Sequence, residues 1–190
     1  ITKASTYLPN KPVSNDEMEQ YLGLVNNKTS KARPLILRNN GIKTRYYALD
    51  KNQKPTHTNA EITALAVEGL FDENFKKEDM ELLSCGTTSA DQIQPSHASM
   101  VHGVLKPGKS NGSNTSMGLC NAGMNALNYG FLSVKAGATE NAICVGSERF
   151  SSWMTADKFN HEVENLKLLE EKPIVAFKRE FLRWMLSDGA

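Results

Sequence analysis

A layered α/β fold is predicted for this 190-residue chain, and three observations predict it. Two short apolar runs, Met80–Cys85 and Ala142–Val145, have the length and composition of buried strands. Two capping-box signatures, Ser14-Asn-Asp-Glu17 and Thr58-Asn-Ala-Glu61, mark helix starts. Residues 120–135, between the later strands, repeat at helical spacing, and the resulting order of strand and helix is that of stacked layers.

The elements follow in chain order. Ile1–Tyr7 is expected to be a first strand, stopped by Leu8-Pro-Asn-Lys-Pro12. The helix opened by Ser14 places Met18, Tyr21, Leu22 and Val25 on one face. Pro34–Arg38 begins a short helix that Asn39-Asn-Gly41 ends, and residues 41–46 turn into a strand. In the helix opened by Thr58, the apolar face is Ile62, Leu65, Ala66 and Leu70. Gly86-Thr-Thr-Ser89 is a turn after the Met80–Cys85 strand, and Pro95 is placed at the first position of a helix reaching Leu105. Residues 106–114 read as a polar surface loop, with a short strand at Thr115–Leu119.

The helix at 120–135 carries two stripes. Met124, Leu127, Phe131 and Val134 form a large apolar one, and Ala122, Ala126 and Gly130 a small one. Its glycines each cost roughly 1 kcal/mol against alanine, which calls for a close backbone approach, and the helix is expected to be buried, with Gly137 as its C-cap. After Glu148 the alternation lapses. Ser151–Pro173 reads as amphipathic through Val163, Leu166 and Leu169, a helix over a site entrance, over a subunit interface, or simply on the surface. The next strand is expected around Leu182, Trp184 and Leu186.

Lysine plus arginine number 22 against 21 acidic residues, which does not point to nucleic acid. No apolar run reaches the roughly 18 residues of a membrane span, no charged leader with an apolar run stands at Ile1, and a reduced, cytoplasmic protein is expected. Of the three cysteines, Cys85 and Cys144 lie in apolar runs and read as core. Cys120 opens the helix, where unpaired N–H groups and the helix dipole favour the nucleophilic thiolate; the competing reading is a small buried hydrophobe. His97 and His102 are spaced too far apart on one helix to make a metal pair, and no metal or cofactor is expected. Lys28, Lys31, Arg33, Arg38, Lys43 and Arg45 form a basic cluster, either a solvated face or a binding surface for pantetheine phosphates or an acidic carrier protein.

Gly118-Leu-Cys-Asn-Ala-Gly123, the helix after it and Cys144-Val-Gly-Ser-Glu148 resemble the β-ketoacyl-(acyl-carrier-protein) synthase III family. Gly41-Ile-Lys-Thr-Arg45, Gly86-Thr-Thr-Ser89 followed by Pro95-Ser96, and the closing Ser187-Asp-Gly-Ala190 match the family's order as well. The resemblance implies a thiolase-like fold of two similar halves, with residues 1–190 as the N-terminal half carrying a helical insertion at about 150–180, and with the C-terminal half, home of the family's catalytic histidine and asparagine, absent. It implies acylation of Cys120, decarboxylation of a malonyl carrier thioester and condensation of the two, with an acyl carrier protein and an acyl thioester as partners, as a homodimer. The run from Arg38 to Tyr47 is also similar to synthases of dialkylresorcinol and aryl-polyene pathways.

Substrate-binding candidates carried over from the family are Arg38, Gln94, Asn121 and Trp153. Members primed by coenzyme A hold the adenine with a tryptophan and an arginine; Pro34-Leu35 and Ser152 fall near those positions, Arg38 is one residue out of register, and Trp153 is adjacent. A carrier-bound primer is therefore expected. Gln94 stands where the family places a bulky residue that reaches the other subunit's acyl tunnel. The competing readings are a non-condensing acyltransferase of the same fold and a non-catalytic subunit.

Overall fold

Residues 1–108, 112–159 and 180–190 are described by a computed structural model, in which the chain forms two compact units. One comprises Asn10–Thr56 and Phe150–Asp188; the other comprises Ile1–Pro9, His57–Arg149 and Gly189–Ala190.

In the first of these, β1 (Val13–Ser14) pairs antiparallel with β2 (Thr44–Arg45), and α1 (Met18–Leu22) and α2 (Arg33–Asn40) lie between them in sequence. The Ser14 box is half made: Glu17 accepts from the Ser14 amide at 3.1 Å, but the Ser14 hydroxyl donates to the same carboxylate at 2.6 Å. With no amide capped by the Ser14 hydroxyl, α1 starts only at Met18 and ends before Val25, which falls on a 3-10 turn rather than on the expected face. Gly41, left-handed at φ +70°, ends α2 as expected. Met18, Leu22, Ile36, Tyr47, Leu49 and Trp184 make the core.

A further sequence expectation fails in this unit. The strand expected around Trp184 is a 3-10 turn, Leu182–Trp184. Alternation would send Arg183 to solvent; instead it is buried beside Trp184, donating to the carbonyls of Leu22, Gly23 and Met154, with its guanidinium 4.6 Å over the indole. Three carbonyl acceptors and a ring face replace the water the cation gives up. The amphipathic segment begins with two 3-10 turns, Ser151–Trp153 and Ala156–Lys158, while its Val163, Leu166 and Leu169 lie outside the described residues.

The second unit holds α3 (Asn59–Glu68), β3 (Leu82–Gly86), α4 (His97–Leu105), β4 (Gly112–Ser116), α5 (Ala122–Lys135) and β5 (Ile143–Gly146). The Thr58 capping box forms in full, Thr58 Oγ1 accepting from Glu61 N at 3.1 Å and Glu61 accepting from Thr58 N at 2.7 Å. Asp91 takes the next two orphan amides, Asn59 N and Ala60 N, at 2.8 and 2.9 Å, so the first turn of α3 is satisfied. Along α3, Ile62 and Ala66 are buried as expected; Leu65 is exposed, and Ala60, Thr63, Ala64 and Val67 complete the inner face.

Strand order is β4-β3-β5, all parallel, with Ser84 opposite both Asn114 and Cys144. On one face Leu83, Cys85 and Ile143 pack with Ala64, Val67, Ala98 and Val101 of α3 and α4. On the other, Ser84 donates to the Ala126 carbonyl of α5 at 2.9 Å and Gly86 lies under Ala122.

Ile1–Tyr7 is no strand: only Tyr7 pairs, exchanging two backbone hydrogen bonds with Ala190. The polar run Gly112-Ser-Asn, expected as loop, starts β4 because β3 supplies its hydrogen-bond ladder, so the strand ends at Ser116 instead of Leu119. Pro95 precedes the Ser96 N-cap of α4 and is not its first helical residue.

The two stripes of α5 are buried in the opposite order to their hydrophobicity. Ala122, Ala126 and Gly130 are buried, whereas Met124, Leu127, Phe131 and Val134 are exposed, Phe131 by 58%. A Cβ on Gly130 would sit 2.2 Å from Cys144 Sγ, so the missing methyl is what admits the thiol beneath the helix. The exposed stripe lines an open apolar cavity of about 570 Å³. At the far end, Gly137 N bonds Val134 O and Ala138 N bonds Ser133 O, the paired Schellman closure expected of a glycine there.

Candidate active site

The C-terminal ends of three adjacent parallel strands converge, which is where open α/β sheets gather their chemistry. β3 runs into Thr87-Thr88-Ser89, β4 into Met117-Gly118-Leu119-Cys120, and β5 into Ser147-Glu148.

Cys120 is exposed, which removes the buried-hydrophobe reading. It sits on a 3-10 turn, Leu119–Asn121, ahead of α5 rather than inside it, because Leu119 takes a left-handed φ of +42° and delays the helix to Ala122. A left-handed leucine costs on the order of 1–2 kcal/mol, and surrounding bonds must hold it. One such bond is direct: the Thr88 hydroxyl donates to the Leu119 carbonyl at 2.7 Å. Asn121 N closes the turn on the Gly118 carbonyl at 3.1 Å.

Thr88 is fixed in turn by Glu148. One oxygen of that carboxylate accepts from Thr88 N at 2.8 Å; the other accepts from Ser89 N at 3.0 Å and from the Ser89 hydroxyl at 2.6 Å. Glu148 is itself pinned by a two-bond backbone pair with Gly189. Behind this turn is a buried polar network. Asn59 donates to Thr87 Oγ1 and the Ser89 carbonyl, while Thr63, His97 and Ser147 join at 2.7–3.2 Å. Burial lowers the His97 imidazole below its ordinary pKa, so the ring is neutral and serves as structure. Below the site, a Cβ on Gly86 would fall 2.1 Å from the Ala122 carbonyl oxygen; only glycine lets α5 start this close to the sheet.

The other cysteines contrast with Cys120. Burial pushes the Cys85 thiol up to about 12 and also raises that of Cys144, so both stay protonated at neutral pH and act as core, as their sequence context indicates.

Of the residues singled out from the sequence, Asn121 follows Cys120 on the same turn, exposed, with no side-chain cap bond to α5. Gln94 is exposed next to Ile93, which is 91% exposed. Arg38 is exposed on α2 and Trp153 is half exposed, edge-on to Phe150 with ring centroids 5.3 Å apart; both belong to the other unit. Sequence reasoning gave no role to Thr88 or Glu148, although both lie in the quoted motifs Gly86-Thr-Thr-Ser89 and Cys144-Val-Gly-Ser-Glu148 just after predicted strands. Among the described residues, no three His, Cys, Asp or Glu side chains come together as metal ligands, and no helix is long and apolar enough to cross a membrane.

No protein-family model matches the chain. It is 31% identical over 153 residues to the β-ketoacyl-[acyl-carrier-protein] synthase III of Neisseria gonorrhoeae, covering 80% of this chain and 44% of that protein. Its length thus spans less than half of the curated relatives it matches. Among solved structures, a tetronic acid condensing enzyme superposes with a TM-score of 0.69 at 23% identity, covering 98% of this chain and 51% of that one. The synthase III of Thermus thermophilus superposes with a TM-score of 0.63, also at 23% identity, over 80% and 44%. The chain thus has a thiolase-like α/β fold.

Proposed function

The chain is homologous over 80% of its length to β-ketoacyl-acyl-carrier-protein synthase III, and from that premise we propose that it carries the nucleophile of a decarboxylating condensing enzyme. One observation carries the reading: the sequence motif's Cys120 is exposed on a strained strand-to-helix turn at the ends of three parallel strands.

The Cys120 thiolate attacks the carbonyl carbon of an acyl thioester; the oxyanion formed takes a hydrogen bond from the Cys120 N–H and collapses, expelling the carrier thiolate, which is protonated. A malonyl carrier thioester then loses carbon dioxide. Its carbanion attacks the acyl-cysteine, and Cys120 leaves as thiolate. The partners are an acyl carrier protein and an acyl thioester, the assembly is a homodimer, and the compartment is the cytoplasm. Asn121 contacts the acyl group beside Cys120 and Gln94 reaches the acyl chain; the exposure of both supports these roles. A second half that supplies the histidine and asparagine covers the exposed stripe of α5, whose Met124, Leu127, Phe131 and Val134 support the presence of a partner surface.

Intact mass of the native protein, before and after incubation with acyl thioesters from acetyl to lauroyl, tests the reading. An acyl adduct on the wild type that Cys120→Ser abolishes is expected, followed by a product two carbons longer once malonyl thioester is added. Absence of any adduct, or one that persists in Cys120→Ser, would overturn it. Transfer without release of carbon dioxide would identify a non-condensing acyltransferase.

A further inference from the structure

We propose that Thr88 is a positioning residue for the Cys120 amide, and this rests on Cys120 being the acylated nucleophile. The Thr88 hydroxyl donates to the Leu119 carbonyl at 2.7 Å. That carbonyl and the Cys120 N–H are the two ends of one peptide unit. Because the unit is planar and trans, fixing the direction of the C=O fixes the direction of the N–H on its opposite side. The same bond draws electron density toward the carbonyl oxygen and makes the N–H a stronger donor.

Leu119 does not hold this orientation by itself. Its φ of +42° is an unfavourable well for a side chain with a Cβ, so relaxation toward ordinary helical values would rotate the peptide and swing the Cys120 N–H away. Thr88 opposes that rotation only because Thr88 is itself immobilised. Its amide is bonded to Glu148 Oε1 at 2.8 Å, and the neighbouring Ser89 occupies Oε2 with both amide and hydroxyl. Glu148, at the end of β5, is thus the anchor, Thr88 the link, and the amide of Cys120 the part that is aimed. Every contact described for the carboxylate oxygens is a donor from the Thr87–Ser89 turn.

Two reactions of one thiol separate aiming from general integrity. Acylation by a thioester develops an oxyanion and uses the amide; alkylation by iodoacetamide displaces iodide and uses only the thiolate. In the native assembly, Thr88→Val, which keeps the shape and removes the hydroxyl, is expected to slow acylation of Cys120 by octanoyl-N-acetylcysteamine about tenfold. Alkylation at Cys120, followed by mass, is expected to stay within about twofold of wild type, and Thr88→Ser, which restores the hydroxyl, to return acylation to near the wild-type rate. Wild-type acylation in Thr88→Val, a parallel fall in both reactions, or no recovery in Thr88→Ser would overturn the assignment. A wild type in which Cys120 takes no acyl group from any of the thioesters above would overturn the functional reading itself, and this inference with it.

Discussion

One face of the β4-β3-β5 sheet presents Leu83, Cys85 and Ile143 to α3 and α4; the other presents Ser84, Gly86 and Gly146 to α5. The first face is ordinary hydrophobic packing, in which bulk removed from water supplies stability. The second gives up side-chain bulk so that helix backbone can lie against sheet backbone, with Ser84 bonding the Ala126 carbonyl and Gly123 and Gly146 in van der Waals reach of each other. The difference teaches that the two layers have separate tasks. The bulky face holds the unit folded, and the sparse face sets where the first turn of α5, and with it Cys120, is placed.

That contrast can be broken from either side. Leu83, fully buried on the bulky face, should cost the most: Leu83→Ala is expected to lower the unfolding free energy by about 3 kcal/mol, measured by urea titration, while the protein that remains folded still acylates Cys120. On the sparse face, Gly86→Ala is expected to cost about 2 kcal/mol, since the new methyl meets the Ala122 backbone and α5 must move. Here the acylation rate should fall further than stability does. If the folded fraction of Gly86→Ala reacted at the wild-type rate, placement would not depend on that close approach.

The His97 network, which braces the turn before Glu148, should sharpen the comparison through pH. Its imidazole is lowered by burial, so between the unfolded value near 6.5 and the lower folded value only the unfolded chain binds the proton. Stability is therefore full above that window and declines as pH falls through it, by at most about 1.4 kcal/mol per pH unit. A urea midpoint that drops between pH 7 and pH 5.5 in the wild type, and drops less in His97→Asn, is the expected result. The smallest effect belongs to the exposed stripe of α5. Phe131→Ser should change the stability of the isolated chain by no more than about 0.5 kcal/mol, while weakening any assembly that covers this face.

Much of the site was legible before the structure. Thr58 and Glu61 announce a capping box because its bonds are local, three residues apart, and they form as written. Gly137 ends α5 for the same reason. Cys120 stands out as a candidate through its neighbours, and Cys85 and Cys144 read as core from theirs. Thr88 and Glu148 were not legible as a pair, since sixty residues separate the carboxylate from the amide it accepts. Only the parallel pairing of β3 with β5 brings them together.

The sequence by itself determined the alternation of strand and helix and the ends of the helices whose caps are local, and it singled out Cys120 as the candidate nucleophile. It also supplied two stripes on α5 without saying which would be covered. Tertiary structure decided that, and against the hydrophobicity: the Ser84 and Gly86 face of β3 leaves room for alanine and glycine, so the small stripe faces the sheet and the large one faces out. It likewise turned Arg183 inward beside Trp184 and made a strand of Gly112-Ser-Asn. The physical reason is common to all three. Periodicity reports the surface a segment offers, whereas burial depends on the shape and hydrogen-bonding capacity of whatever meets it, and those belong to residues distant in the chain.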